Sequence, residues 1–389
     1  MQPTREQPPS ILERHGIRVT PVACDRRGIA RFLRVPYGIY DGDPNWVAPL
    51  VMDLQLVFQP RNPLFDHAEM QLWVAERDGR DVGRIMGLEE RSHNEVHGER
   101  TAFFGFYESV DDPGVAGLLF EAVRDWAKAR GLTRLLGPTN PTTNDECGLV
   151  VDGFDSPPLF MMPYNPRYYV DQFESEGFTK AKDLLAFHID IAGSPHDRLN
   201  RLAALCLKRN PGLRWRPVKK QTLKADLARI KEVYNAAWED NWGFVPMTDA
   251  EIDFLAARLK PLLVPGLVCL MEHEGRPVAF MLAAPDFNEA LQPLRGRLMS
   301  PALPRFLTYV FGWRSTRLCR VITLGAVKGW RGKGLEAVML SEGFKVGFDL
   351  GFQAAEASWV LEDNVAMCRV IETMGGRVYK TYRLYERPV

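Results

Sequence analysis

The sequence predicts an α/β (α+β) protein made of two related domains in tandem, each a mixed, mostly antiparallel sheet flanked by helices. The length of 389 residues suits two domains, and 46% hydrophobic content with 25% charge can bury a sizeable core. Landmarks also recur along the chain at a near-constant offset. A strand–helix–strand pattern appears once in each half as well, so the halves are expected to share one fold.

The first landmark is a hairpin. Residues 73–85 (WVAERDGRDVGRI) and 269–281 (CLMEHEGRPVAFM) each predict two alternating strands around an acidic residue followed by glycine. The turn glycines, Gly79 and Gly275, lie 196 residues apart. Each hairpin alone is a common structural feature, so the argument depends on the repetition.

The second landmark is an asparagine followed by a helical stretch and a glycine. Asn165 precedes Gly177, and Asn364 precedes Gly375, at offsets of 199 and 198 residues. Similar offsets at separate landmarks predict an internal repeat.

Between these landmarks each half carries a strand, a helix and a strand. The later helix is apolar on nearly every face, so it should be buried. The segments are 101–109, 114–131 and 133–138 in the first half, and 319–327, 335–351 and 352–360 in the second.

Composition limits the possible functions. Lys plus Arg and Asp plus Glu both total 49, so no net charge attracts nucleic acid. The six cysteines form no CxxC pattern, and His93 and His97 have no third ligand in view, so neither a disulfide framework nor a metal site is expected. The N-terminus has no apolar signal segment, and no run of 18 apolar residues follows. The expectation is a cytoplasmic protein.

A glycine-rich loop is the main functional signal. Residues 325–340 (GAVKGWRGKGLEAVML) are expected to join a strand ending near Val327 to the buried helix. Such a loop directs backbone N–H groups to the positive end of a helix, which suits a phosphate. A surface turn without a ligand is the alternative.

Two known phosphate motifs fit this loop poorly. A Walker loop needs Ser or Thr after the lysine, but Gly334 follows Lys333. Gly332, Gly334 and Ala337 fit the dinucleotide pattern GxGxxA, with Glu356 at a suitable distance. The chain remaining after Ala337 is too short for the rest of a doubly wound sheet, so this interpretation is weak.

The third interpretation is the pyrophosphate of an acyl-CoA. Arg331–Gly334 resembles the first four positions of the Arg/Gln-x-x-Gly-x-Gly/Ala signature of the GNAT superfamily of N-acyltransferases, and Asn364 with residues 375–376 resembles its later Asn–helix–Gly segment. Glu336 departs from the signature, which has Gly or Ala there. Residues 107–117, at the equivalent place in the first half, lack the signature, so only the second half is expected to bind CoA.

The resemblance implies four segments. They are a flexible N-terminus at 1–17, a degenerate GNAT-like domain at 18–192, a helical linker at 193–214 and an acyl-CoA-binding GNAT domain at 215–389.

The resemblance also implies site residues. In the superfamily two strands splay apart, and free backbone groups pair with pantetheine. The residues implied for the co-substrate acyl-CoA are Leu324, Ala326, Val327, Arg331, Gly332, Lys333, Gly334 and Asn364.

An amine must be neutral to attack a thioester, so a carboxylate base is expected. The candidates are Asp240, Glu356 and Asp363, each of which would otherwise be a capping or salt-bridging carboxylate. Val370 and Ile371 stand where many relatives place a tyrosine. Tyr382, with Tyr379 and Tyr385 beside it, would then supply a phenol, although alternating aromatics in a terminal strand also serve packing.

Residues 294–320 contain six arginines and no acidic residue among apolar and aromatic side chains. This composition is typical of a helix in an anionic membrane interface, and a buried connecting helix is the alternative. In either case the segment precedes the CoA-binding strand and would wall an acyl or lipid pocket. An interface helix would place the protein at the inner membrane surface.

Phrases such as YNAAWEDNWGFVP and MMPYNPRYY resemble the long tandem GNAT-type proteins that include bacterial ceramide synthases. This implies transfer from a long-chain acyl-CoA to the amine of a sphingoid base or similar lipid. A Fem-like transferase that uses aminoacyl-tRNA and a non-catalytic acyl-CoA or lipid-binding protein stay open. Five polar residues of the first half are expected to face the cleft between domains: Asn140, Asn144, Asp145, Tyr164 and Asn165.

Overall fold

The structure is a computed structural model that describes residues 11–389. The N-terminal segment predicted at 1–17 lies largely outside the described residues. The elements of the first half are β1 (Leu12–Arg14), β2 (Ile17–Val22), α1 (Arg26–Ile39), α2 (Val51–Val57), β3 (Ala68–Arg77), β4 (Arg80–Glu90), α3 (Arg91–His97), β5 (Thr101–Ser109), α4 (Pro113–Ala129), β6 (Arg134–Gly137), β7 (Thr139–Asn140), β8 (Glu146–Cys147), β9 (Leu149–Asp152), α5 (Tyr168–Ser175) and β10 (Thr179–Asp190).

The second half repeats the strand–helix–strand core with different connections. Its elements are α6 (His196–Arg209), β11 (Leu213–Pro217), α7 (Leu223–Trp238), α8 (Asp249–Leu259), β12 (Val268–His273), β13 (Arg276–Pro285), α9 (Asn288–Leu291), α10 (Leu303–Val310), β14 (Leu318–Ala326), α11 (Leu335–Asp349), β15 (Ala354–Leu361), α12 (Val365–Thr373) and β16 (Arg377–Pro388). Single 3-10 turns lie at Pro63–Asp66, Lys260–Leu262, Gln292–Leu294 and Lys328–Trp330.

The two predicted hairpins form as expected. Asp78 and Gly79 join β3 to β4 with φ of 49° and 74°, and Glu274 and Gly275 join β12 to β13 with φ of 50° and 81°. Two successive positive φ angles match the twist of a tight antiparallel hairpin, and glycine adopts them without strain. The repeat is therefore real at the level of local structure.

The two halves share one continuous 14-stranded sheet. The last strand of the chain, β16, pairs with β6 through Tyr385 and Gly137, and with β10 through Tyr382 and Leu184. Strand β10 also pairs with β15. The final strand of each half thus lies beside the parallel strand pair of the other half. The predicted fold class is correct, whereas this exchange of strands had no signal in the repeat.

The helices cover both faces of the sheet. Helix α11 is buried over most of its length, with Leu335 and Met339 fully inaccessible. Phe348 near its end is 71% exposed, so the prediction of burial on nearly every face was wrong there. The predicted linker at 193–214 contains α6, which packs on α11 through Leu199, Ala203 and Cys206. The linker is thus part of the fold, and it leads into an edge strand, β11. The boundaries at 192 and 215 stay a prediction.

Candidate active site

The parallel strands β14 and β15 separate in the middle of the sheet. We call this separation the splay. They pair only from Leu318 to Val321 on β14 and from Ala354 to Ala357 on β15. Beyond Val321, β14 continues to Ala326 with β13 as its partner on the other side. The edge of β14 that faces β15 therefore has unpaired backbone groups. Three residues implied for pantetheine, Leu324, Ala326 and Val327, lie at or just beyond this edge.

The glycine loop connects the splayed end of β14 to α11. Gly332 and Gly334 have φ of 71° and 87°, and Gly334 is the N-cap residue of α11 without a side-chain cap. The first amides of this helix are therefore free to receive an anion. Arg331 and Lys333 are exposed beside them, and the Lys333 ammonium lies 4.5 Å from the centre of the Trp330 ring.

Acidic residues hold the loop cations in place. Asp240 is exposed and lies 3.2 Å from the Lys328 ammonium and 3.5 Å from the Arg331 guanidinium. Arg331 also donates to the Ala237 carbonyl at 2.8 Å. Asp240 is thus next to the loop, in an ion-pair network rather than in an enclosed site.

Two other predicted residues lie at the start of α12. Asp363 is exposed and pairs with Lys182 at 2.8 Å, which lowers the pKa of Asp363. The Asn364 side chain accepts from the Met367 N–H at 3.2 Å and so caps the helix. The contact of Asn364 with CoA stays a prediction.

Glu356 is at the centre of a buried polar cluster beneath the splay. Its carboxylate accepts from the Ser358 hydroxyl at 2.6 Å and from the Tyr379 hydroxyl, and the Arg320 Nε lies 3.7 Å away. Both Glu356 and Arg320 are 1% exposed. Burial and the Glu356 charge raise the pKa of Tyr379. Sequence patterns therefore indicated Glu356 as a candidate carboxylate, but not the hydrogen bonds and ion pair that fix its side chain.

Tyr382 is the fourth predicted catalytic residue, and it is fully buried. Burial and the Glu356 charge raise its pKa well above the usual range, and its hydroxyl has no hydrogen-bond partner among residues 11–389. Tyr385, by contrast, packs against Phe173 in the core of the first half.

Three members of this cluster are not indicated as site residues by the sequence: Arg320, Ser358 and His188. Arg320 was counted among the membrane-facing arginines of residues 294–320, which is wrong because it is buried. His188 on β10 is the cross-strand partner of Glu356, and its ring centre is 5.8 Å from that of Tyr379. Only the pairing between halves brings His188 here, so no local pattern could have indicated it.

A large cavity lies between the two halves, with a volume of about 480 Å³. Arg320 connects the splay to its wall, since Nη1 donates to the carbonyls of Phe160 and Met161 at 3.0 and 2.8 Å. Helices α1, α2, α8, α9 and α10 each contribute apolar side chains to the lining, and the loops between elements contribute others. Representative residues of that lining are Leu33, Leu54, Leu255, Leu291 and Phe306.

Three of the five polar residues expected in the cleft line this cavity: Asn140, Asp145 and Tyr164. The other two do not. The Asn144 side chain accepts from the Tyr234 hydroxyl at 3.0 Å, and the Asn165 side chain bonds the backbone of Val150. Among the described residues, His, Cys, Asp and Glu side chains form no cluster of three suited to a metal ion.

Residues 294–320 form part of the cavity wall and also carry exposed apolar side chains, while their contact with a membrane stays a prediction. Leu298, Phe306 and Val310 line the cavity, so the segment forms part of its wall. Met299, Phe311 and Trp313 are 86%, 62% and 77% exposed. No helix within residues 11–389 is both long and apolar enough to cross a membrane.

Comparison with known proteins gives two relatives that span nearly the whole chain. The sequence is 36% identical to the bacterial ceramide synthase of Caulobacter vibrioides (strain NA1000 / CB15N), over 92% of this chain and 94% of that protein. It is 32% identical to Protein YghO of Escherichia coli (strain K12), over 94% of each. No family model matches the sequence.

Solved structures show the same fold at low sequence identity. A tandem GNAT protein from the clavulanic acid biosynthesis pathway superposes with a TM-score of 0.59 at 13% identity, over 96% of this chain and 98% of that one. A GCN5-related N-acetyltransferase from Sphaerobacter thermophilus gives a TM-score of 0.51 at 13% identity, over 95% of each chain.

The buried ion pair leads to a stability prediction. Glu356→Gln keeps the side-chain size but leaves the buried Arg320 cation without its ion-pair partner. We expect the free energy of unfolding to fall by about 3 kcal/mol in urea titrations. Glu289→Gln is the matched control, because its partner Arg317 is 72% exposed, and its effect should stay below about 1 kcal/mol. Equal losses in the two variants would contradict this account of the cluster.

Proposed function

We propose a function from one premise: the chain belongs to the family of the bacterial ceramide synthase, within the GNAT superfamily, and is an acyltransferase. The proposal is that it transfers a long-chain acyl group from acyl-CoA to the amine of a sphingoid base or a similar lipid, giving a ceramide-like amide. The cavity of about 480 Å³ is the observation that carries the lipid part of this proposal.

In this proposal acyl-CoA binds to the second half. The pyrophosphate lies at the N-terminus of α11, where Gly332 and Gly334 allow close approach and Arg331 and Lys333 supply positive charge. Pantetheine follows the unpaired edge of β14 from Val327 inward. The acyl chain then extends from the splay toward the cavity.

The chemistry needs a neutral amine and a stabilised oxyanion. The amine nitrogen attacks the thioester carbon, the carbonyl oxygen becomes an oxyanion, and an unpaired backbone N–H of β14 would donate to it. The C–S bond then breaks, and the CoA thiolate takes up one proton. Tyr382 is the proposed donor, since its hydroxyl is buried without a hydrogen-bond partner among residues 11–389.

The predicted carboxylates have different roles in this proposal. Glu356 orients Arg320 and Tyr379 beneath the splay, so we assign it a positioning role. Asp240 fixes Arg331 beside the loop, and Asp363 fixes Lys182. Each assignment follows from the ion pairs and hydrogen bonds that these side chains make.

The membrane-facing surface is a second part of the proposal. The exposed apolar residues of α10 and its flanks are next to Arg305 and Arg314, both exposed and without an ion-pair partner among residues 11–389. Apolar and aromatic side chains with basic neighbours suit an anionic lipid surface. Because the same segment lines the cavity, a lipid amine would enter directly from the membrane.

The acyl transfer is tested by free-thiol release. Purified protein is incubated with palmitoyl-CoA, with and without sphinganine, and with acetyl-CoA and a polyamine as the control pair. We expect thiol only from the long-chain donor with the lipid amine. Binding of palmitoyl-CoA without thiol release for any acceptor would contradict the catalytic proposal and favour an acyl-CoA-binding protein.

The position of the pyrophosphate is tested at Gly334. Asn and Asp both tolerate positive φ and have the same size, and a Cβ at this position would meet Cys206 at ordinary contact distance. Gly334→Asp adds a negative charge that Gly334→Asn lacks. We expect CoA to bind at least about tenfold more weakly to the Asp variant, or about 1.4 kcal/mol, by calorimetry. Equal affinity of the two variants would place the pyrophosphate elsewhere.

The membrane contact is tested with vesicles that contain an anionic lipid. Arg305→Gln with Arg314→Gln should weaken binding by roughly 30-fold, because each basic residue near such a surface contributes about 1 kcal/mol. Arg80→Gln with Arg276→Gln, in the two hairpin turns, removes the same charge elsewhere and is the control. Equal binding by both double variants would contradict the membrane contact, and α10 would then serve only as part of the cavity wall.

A further inference from the structure

Two parallel strands of the first half, β5 and β6, also separate, but the segment that follows β6 fills the gap between them. Strands β5 and β6 pair only from Thr101 to Phe103, and the segment that follows β6 then turns into the gap. The Phe106 N–H donates to the Asn140 side chain at 2.6 Å. Gly105 permits this approach, since a Cβ there would lie 1.5 Å from the Thr139 carbonyl oxygen. We call residues 138–147 the plug. It occupies the place that corresponds to the co-substrate cleft of the second half.

The plug ends by directing a carboxylate toward the cavity. Strand β8 pairs back on β7, with Glu146 opposite Asn140, and Glu146 lines the cavity as a half-buried residue. The Glu146 carboxylate makes no hydrogen bond or ion pair with any residue in the range 11–389. It is therefore available to a ligand.

The other carboxylates that line the cavity are already engaged. Glu108 accepts from Tyr169 and lies near Arg84, Asp53 is held by two bonds from Arg258, and Asp145 accepts from Thr142. The cavity lining thus contains four carboxylates, Asp53, Glu108, Asp145 and Glu146, and two guanidinium groups, Arg84 and Arg258. This excess of negative charge favours a cationic ligand at the free carboxylate.

The buried polar cluster around Glu356 extends toward Glu146. Burial lowers the pKa of Arg320, and the nearby charges of Glu356 and Glu146 oppose this shift. The Arg320 Nη2 is buried without a hydrogen-bond partner among the described residues, and so is the Tyr382 hydroxyl, whose pKa the charge of Glu146 also raises. Two buried donors without a hydrogen-bond partner among the described residues are therefore close enough to both Glu356 and Glu146 for these charges to act on them.

We propose that Glu146, carried by the plug of the first half, binds the ammonium group of the acceptor and takes its first proton. This rests on the proposed acyl transfer and assigns its base. The ammonium gives one proton to the carboxylate, and the neutral amine forms the bond to the thioester carbon. Tyr382 gives its hydroxyl proton to the leaving thiolate, which becomes CoA thiol, and the second N–H proton of the amine restores the Tyr382 hydroxyl. Burial raises the pKa of Glu146 to about 7, which suits a base at neutral pH.

The test is a binding comparison that needs no turnover. Calorimetry measures dodecylamine and 1-dodecanol, which share one chain length and differ in charge, with the full chain. We expect wild type to bind the amine about tenfold more tightly, because a charge-assisted bond contributes roughly 1.5–3 kcal/mol. Glu146→Gln should bind both compounds equally. Glu95→Gln, an exposed carboxylate on α3, should behave as wild type.

Two outcomes would overturn the assignment: wild type without amine preference, or a Glu146→Gln variant that keeps it. Unchanged palmitoyl-CoA affinity in the variant shows that its fold is intact. If wild type prefers the amine but releases no thiol, the acyl transfer fails and the Glu146 site stands. If Glu146→Gln releases thiol with unchanged KM for sphinganine, the site fails and the acyl transfer stands.

Discussion

The exchange of final strands between the halves is the constraint on which the rest of the structure depends. Strand β10 lies between β15 and β16, and β16 lies between β6 and β10. Removing either half would leave unpaired N–H and C=O groups in the centre of a sheet, which is costly. The halves are therefore held in one arrangement, and the cavity between them has walls that no simple hinge can separate.

Both halves contain the strand–helix–strand pattern, but the N-terminus of its helix is capped in the first half and uncapped in the second. Helix α4 begins at Asp112, whose carboxylate accepts from the Gly114 N–H at 2.7 Å and from the Arg77 guanidinium at 2.6 Å. Helix α11 begins at Gly334 and has no side-chain cap. A carboxylate at the first site satisfies the amides and repels phosphate, whereas glycine leaves them free. This difference, together with the plug, supports the proposal that CoA binds to the second half.

The sequence was sufficient for features that depend on neighbours along the chain. The hairpins at Gly79 and Gly275, the buried helix α11 and the glycine loop all follow from local patterns. The order of strands in the sheet does not, because β6 and β16 pair across more than half of the chain. The candidate site shows the same difference. A local motif was enough to predict Gly334 as a site residue, whereas His188 lies opposite Glu356 only because β10 of the first half pairs with β15 of the second.

The sequence does not indicate which charged residues of the site are the most costly to bury, and these include Arg320, Glu356 and Glu146. Removing Arg320 and Glu356 from water is expensive, and a pair of apolar residues in their place would often be at least as stable. Glu146 likewise faces a mostly apolar space and makes no hydrogen bond or ion pair within the part of the chain that the structure describes. These costs all arise between the splay of β14 and β15 and the cavity, where Arg320 bonds the wall at Phe160 and Met161. Stability alone would not favour charges here, so their position is itself an argument that acyl donor and acceptor meet at this boundary.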